Sequence, residues 1–145
     1  MTSSTALWLA VDDSSTENGC LRVVPRSHLE ELHGLRDRGD VDSVLGSEIE
    51  VDVDESQAAD MQMTRGSVEV HHPNIIHGSN ANTSPNRRCG LTIRYIPTST
   101  RILGDAGASA IHLRGELGVN DYQPKPVYVP GQSFPFAGSD AWLAR

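Results

Sequence analysis

Gly66–Ile96 reads GSVEVHHPNIIHGSNANTSPNRRCGLTIRYI. Two strand-like stretches enclose a polar turn. Val68 and Val70 share one face of the first, and Ser67, Glu69 and His71 share the other. That parity leaves either face free to point inward. Asn, Thr, Ser and Pro between Asn80 and Asn86 are turn chemistry, and Gly90–Ile96 resumes as a strand. The simplest local structure is an antiparallel pair joined by a loop, with His77 on one side and Arg88 on the other. Paired strands lie about 4.8 Å apart and rise about 3.3 Å per residue. An imidazole and a guanidinium facing the same way then stand roughly a small dicarboxylate's length apart. The stretch thus predicts a metal-plus-anion pair on adjacent strands.

Outward from this stretch the chain keeps the same character. Thr5–Val11 (TALWLAV) is a short apolar run, entered almost at the first residue, and predicts a buried strand. Asp12–Gly19 is a polar loop ending in Asn-Gly, and Cys20–Val24 reads as the partner strand of a hairpin. Arg26–Asp42 is charged and without a clean period, a surface excursion. Ser47–Val53 alternates strictly, with Ile49, Val51 and Val53 on one face and acids on the other, a half-exposed strand. Glu55–Ala59 suggests a helical turn. After Pro97 the pattern dissolves, and Gly118–Arg145 reads as a tail. Six or so short strands and no long helix predict an all-β sandwich or barrel.

At 145 residues the chain is large enough for one real core. Nineteen acids against twelve bases, only one of them lysine, argue against a nucleic-acid or anionic-membrane surface. No apolar run reaches the eighteen or so residues that span a bilayer. The N-terminus lacks a basic region before its apolar run, so no signal peptide is read and a cytoplasmic protein is expected. Cys20 and Cys89 match no zinc or redox spacing, and two free thiols are expected rather than a disulfide.

Three segments together resemble the phytanoyl-CoA dioxygenase-like family of Fe(II)- and 2-oxoglutarate-dependent oxygenases: TALWLAVDDSSTENGCLRVVPRSH (Thr5–His28), GSVEVHHPNIIHGSNANTSPNRR (Gly66–Arg88) and GLTIRYIPTSTR (Gly90–Arg101). The resemblance implies a double-stranded β-helix, the cupin-like jelly roll. It makes His77 the distal histidine ligand of iron and Arg88 the base that pairs with the far carboxylate of 2-oxoglutarate. It makes Ser79 a second group on that carboxylate and Trp8 a wall of the cosubstrate pocket. The chemistry suits these residues. Neutral imidazole binds ferrous iron in facial triads of two histidines and one carboxylate, and the arginine fork meets a carboxylate bidentately.

Two departures accompany the resemblance. The family's H-x-D pair occurs nowhere in this sequence, and Pro25-Arg26-Ser27-His28 carries Arg26 where the family's turn has glycine. The chain is therefore expected to be an N-terminally truncated jelly roll over residues 1–103, with an irregular C-terminal extension over 104–145. The implied activity is hydroxylation of a small or lipid-like organic substrate, with this chain lacking part of the iron site. The alternative is a non-catalytic jelly-roll binding or oligomerisation module, with two copies pairing through an exposed sheet edge. His71 and His72 form a possible cluster with His77, against a plain packing role.

Overall fold

Alternation in TALWLA becomes strand β1, Thr5–Ala10, whose even positions Ala6, Trp8 and Ala10 are buried. A computed structural model describes residues 4–37, 47–103, 110–122, 127 and 130. The remaining strands are β2 (Leu21–Val23), β3 (Leu35–Asp37), β4 (Ser47–Ile49), β5 (Ala59–Met61), β6 (Val68–His71), β7 (His77–Ser79) and β8 (Gly90–Tyr95). Two single 3-10 turns, Ser27–Leu29 and Glu55–Gln57, are the only helical pieces among the described residues. Of the expected elements, the turn after Asp54 forms. The Ser47–Val53 strand stops at Ile49, and the Arg26–Asp42 excursion holds β3, which pairs with β4. Residues 38–46 lie outside the described residues.

The strands form two three-stranded antiparallel sheets, ordered β6-β1-β8 and β5-β2-β7, with β3-β4 as a separate ribbon. This corrects both expected hairpins. Thr5–Val11 and Cys20–Val24 do not pair, because β1 and β2 belong to different sheets. The strands carrying His77 and following Arg88 do not pair either: β7 lies beside β2, and β8 beside β1. Turn-forming residues mark a reversal of the chain, and here each reversal carries it across from one sheet to the other. The two sheets meet where the His71 ring of β6 approaches the His77 ring of β7, 5.4 Å between centroids. This is the jelly-roll arrangement, all-β as expected.

The interior face of the first sheet is laid out in rows. Ala6 stands between His71 and Arg94, and Trp8 between Glu69 and Thr92. Burial settles the open parity of β6: Glu69 is 7% exposed while Val68 and Val70 are 49% and 62% exposed. The polar face looks inward and the valines look out. In the second sheet Leu21 and Val23 are buried, and their cross-strand partners are Ser79 and His77. His77 and Ser79 therefore share the interior register of β2. On the opposite face Arg22 binds Asp60 at 2.9 Å and also Glu55, tying β2 to β5 and the turn before it.

Ser4–Tyr95 forms one compact unit and contains every strand found among the described residues; the described residues from Ile96 onward belong to a second. In the second unit Asn120 accepts from the Ile102 amide at 2.8 Å and donates to the Thr100 carbonyl at 2.7 Å, while His112 packs on Tyr122. Residues 123–126, 128–129 and 131–145 lie outside the described residues. Among the described residues no helix is long and apolar enough to cross a membrane.

Candidate active site

Two adjacent arginines follow the polar turn, and the structure gives them different neighbours. Arg87 is exposed and binds both oxygens of Asp12, with Nε and an Nη at 2.8 and 2.9 Å. This hydrogen-bonded guanidinium holds the Asp12 carboxyl below its usual range. Arg88 is half-buried, and its guanidinium carbon lies 5.7 Å from the Trp8 ring centroid. A guanidinium over an indole face at this range is a cation–π contact. No acid binds Arg88 among the described residues. The inward placement of Arg88 and outward placement of Arg87 follow from the strand that comes next: β8 starts two residues later and pairs directly with β1, which carries Trp8.

The backbone beneath this pair is held by residues whose part the sequence does not announce. Asn18 is 5% exposed. It accepts from the Ser15 amide at 2.7 Å and donates to the carbonyls of Asp13 and Arg87, at 2.8 and 3.4 Å. It thus ties the first polar loop to the arginine pair. Gly19 has φ +76, and a Cβ there would stand 2.5 Å from the Asn80 carbonyl oxygen. Gly90 seats the Trp8 ring, because a Cβ would fall 2.1 Å from two of its carbons. Asn-Gly at 18–19 is visible in the sequence, but there it signals only a turn. Cys20 and Cys89 are free thiols, as expected, and burial pushes the Cys20 thiol up.

His77 begins β7 on an exposed part of the interior face. Its Nδ1 lies 2.8 Å from the Ile75 carbonyl. A carbonyl only accepts, so Nδ1 carries the proton in the neutral ring and Nε2 keeps its lone pair, the tautomer a metal ligand requires. The approach to His77 is fixed by Ser27. Its hydroxyl donates to the Val24 carbonyl and accepts from the Ile76 amide, each at 2.8 Å. Ser79 lies two residues on and, with His77, borders a cavity of about 250 Å³ that Ile49, Val51 and Val53 also line. Trp8 and Arg88 do not line that cavity. The four expected site residues therefore fall into two pairs, Trp8 with Arg88 and His77 with Ser79, on opposite sheets.

Among the described residues no three His, Cys, Asp or Glu side chains converge as a metal site. His77 fits a single imidazole position, and the described residues do not assemble a two-histidine, one-carboxylate set. Arg88 offers a fixed charge on an aromatic wall, without a competing carboxylate among the described residues.

A family model described as Phytanoyl-CoA dioxygenase (PhyH) matches residues 2–90. Phytanoyl-CoA dioxygenase 1 of Oryza sativa subsp. japonica is 32% identical over 96 residues, 66% of this chain and 34% of its own length. The phytanoyl-CoA dioxygenase domain-containing protein 1 homolog of Dictyostelium discoideum is 33% identical, over 63% of this chain and 34% of its own. The chain spans about a third of the length of these curated relatives. Among solved structures, the non-heme monooxygenase ThoJ in its apo form superposes with a TM-score of 0.67 at 26% identity, over 97% of this chain and 49% of its own. EvdO2 from Micromonospora carbonacea var. aurantiaca, complexed with 2-oxoglutarate, shares the fold with a TM-score of 0.56 at 22% identity, over 63% of this chain and 37% of its own.

Proposed function

The chain belongs to the phytanoyl-CoA dioxygenase family, and from that premise we propose that it carries the cosubstrate-anchoring part of an Fe(II)- and 2-oxoglutarate-dependent oxygenase. The observation that carries the reading is Arg88: a half-buried guanidinium over Trp8, without an acid partner among the described residues, beside an Arg87 that Asp12 neutralises. Such a group is preset to receive a carboxylate. Its planar fork offers two parallel donors, and the indole face keeps water from one side. Ser79 stands with His77 on the opposite sheet, where its hydroxyl is a further donor for an anion in the interior. His77 offers Nε2 to a ferrous ion. Iron and 2-oxoglutarate, when bound, would activate dioxygen, the oxidant that hydroxylates an unactivated carbon of a small organic substrate while 2-oxoglutarate is oxidatively decarboxylated. The residues of this chain hold the cosubstrate and orient it; they move no proton in this reading.

The test is calorimetric titration of the chain with 2-oxoglutarate in the presence of Mn(II). Binding should weaken about a hundredfold in Arg88→Ala, the loss of a charge-assisted pair worth about 3 kcal/mol. Unchanged binding in that variant would remove the reading. A second reading, a jelly-roll module that binds an organic anion without catalysis, is favoured by the lack of a three-ligand set among the described residues. Anion binding that is indifferent to metal would select it.

A further inference from the structure

The interior face of β6 carries a buried pair that the reading above leaves unused. Glu69 and His71 are next-but-one neighbours on a strand, so both point inward. His71 Nδ1 lies 2.5 Å from Glu69 Oε1, with side chains 11% and 6% exposed. A carboxylate only accepts when ionised, so Nδ1 carries a proton, and in the neutral tautomer that a metal would select Nε2 of His71 offers its lone pair. The His71 ring centroid lies 5.4 Å from that of His77, at 44° between planes. His77 reaches the same state by a different partner, the Ile75 carbonyl.

Two imidazoles, each fixed through Nδ1 and each with Nε2 turned away from that partner, therefore stand side by side across the two sheets. Metal–nitrogen bonds of about 2.1 Å at tetrahedral angles place two imidazole centroids roughly 5 Å apart, close to the separation found here. A carboxylate behind a ligating histidine is the usual outer partner of such a ligand, orienting the ring and raising its basicity. The rest of the interior agrees. A strand that turns Glu69 and His71 inward while leaving Val68 and Val70 in solvent sacrifices apolar burial, and a polar ligand in the interior would compensate for it.

We infer that His71, backed by Glu69, is a second imidazole donor beside His77, so that this chain holds a divalent transition metal through a His71–His77 pair. The class of ion is that suited to two imidazoles with the remaining positions open to water or a carboxylate, such as Ni(II), Co(II) or Zn(II). The inference rests on His77 being a ligand, and its test separates the two. The chain and three variants are titrated with Ni(II) by calorimetry, with circular dichroism as the check of folding. His71→Phe keeps a ring against His77 but removes the nitrogen, and His77→Phe does the same for its partner. His71→Gln serves if the phenylalanine disturbs the fold.

One Ni(II) per chain is expected, weakened at least tenfold in each histidine variant, with Glu69→Gln weakened about tenfold. Loss in His77→Phe with wild-type affinity in His71→Phe would overturn this inference and leave His77 as the ligand. Wild-type affinity in both, or no binding by the wild-type chain, would overturn both readings. Loss in both histidine variants with none in Glu69→Gln would uphold the ligand pair and remove the role given to Glu69.

Discussion

Arg26 holds a left-handed backbone, φ 72 and ψ −3, at the entry to the Ser27–Leu29 turn. It is the only non-glycine residue with positive φ among the described residues. An L-residue there costs about 1–2 kcal/mol relative to glycine. Arg26→Gly should raise stability by about 1 kcal/mol in urea unfolding, and a loss would show that the arginine side chain contributes something the backbone does not reveal. Gly90 is the opposite case. Because the Trp8 ring fills the place of its Cβ, Gly90→Ala should cost about 1–3 kcal/mol through overpacking, and a neutral result would mean that the ring can move aside. At Asp12 the linkage has a definite sign. Its folded pKa is lowered from 3.8 by the Arg87 hydrogen bond, so its contribution is complete above that value and is lost as pH falls through the folded pKa. The stability difference between wild type and Asp12→Asn should therefore be present at neutral pH and vanish in acid. A difference that persists in acid would contradict the pairing.

At the level of elements, the long strands β1 and β8 and the shorter β2, β4 and β6 were readable, whereas β3 and β5 were not. TALWLA and GLTIRY have enough alternation and β-branched or aromatic content to stand alone as strands. LRD and ADM do not. They are strands because partners hold them there, with Arg36 bound to Glu48 across β3–β4 and Arg22 to Asp60 across β2–β5. The face that β6 turns inward was ambiguous in the sequence, since valine inward is the usual outcome and the structure buries Glu69 instead. That choice can be tested. Val70→Ser should change stability by less than about 0.5 kcal/mol, as for an exposed site, whereas Glu69→Val should strip His71 of its partner. If Val70→Ser proved the more damaging, the face assignment would be reversed. Ser27 joins two elements through one hydroxyl. Ser27→Ala leaves the Ile76 amide unpaired and should cost about 1–3 kcal/mol.

Across the whole molecule, the order of short motifs pointed to candidate site residues, but their spacing in the sequence suggested the wrong placement for them. His77 and Arg88 are eleven positions apart and invite a hairpin. They stand instead on opposite sheets, one beside β2 and the other leading into the partner of β1, because a jelly roll carries successive strands across its interior. Composition marks where the chain turns, but not which sheet it enters after turning. Asn18, Gly19 and Gly90 stayed hidden for a related reason: each acts on a segment distant in sequence, through a hydrogen bond or a close approach that no local pattern encodes. The central claim is that Arg88 is the cosubstrate anchor, and titration of 2-oxoglutarate in the presence of Mn(II) into wild type, Arg88→Ala and Arg87→Ala tests it most directly. The account predicts about a hundredfold weakening in Arg88→Ala and little change in Arg87→Ala; equal losses in the two, or none in Arg88→Ala, would contradict it.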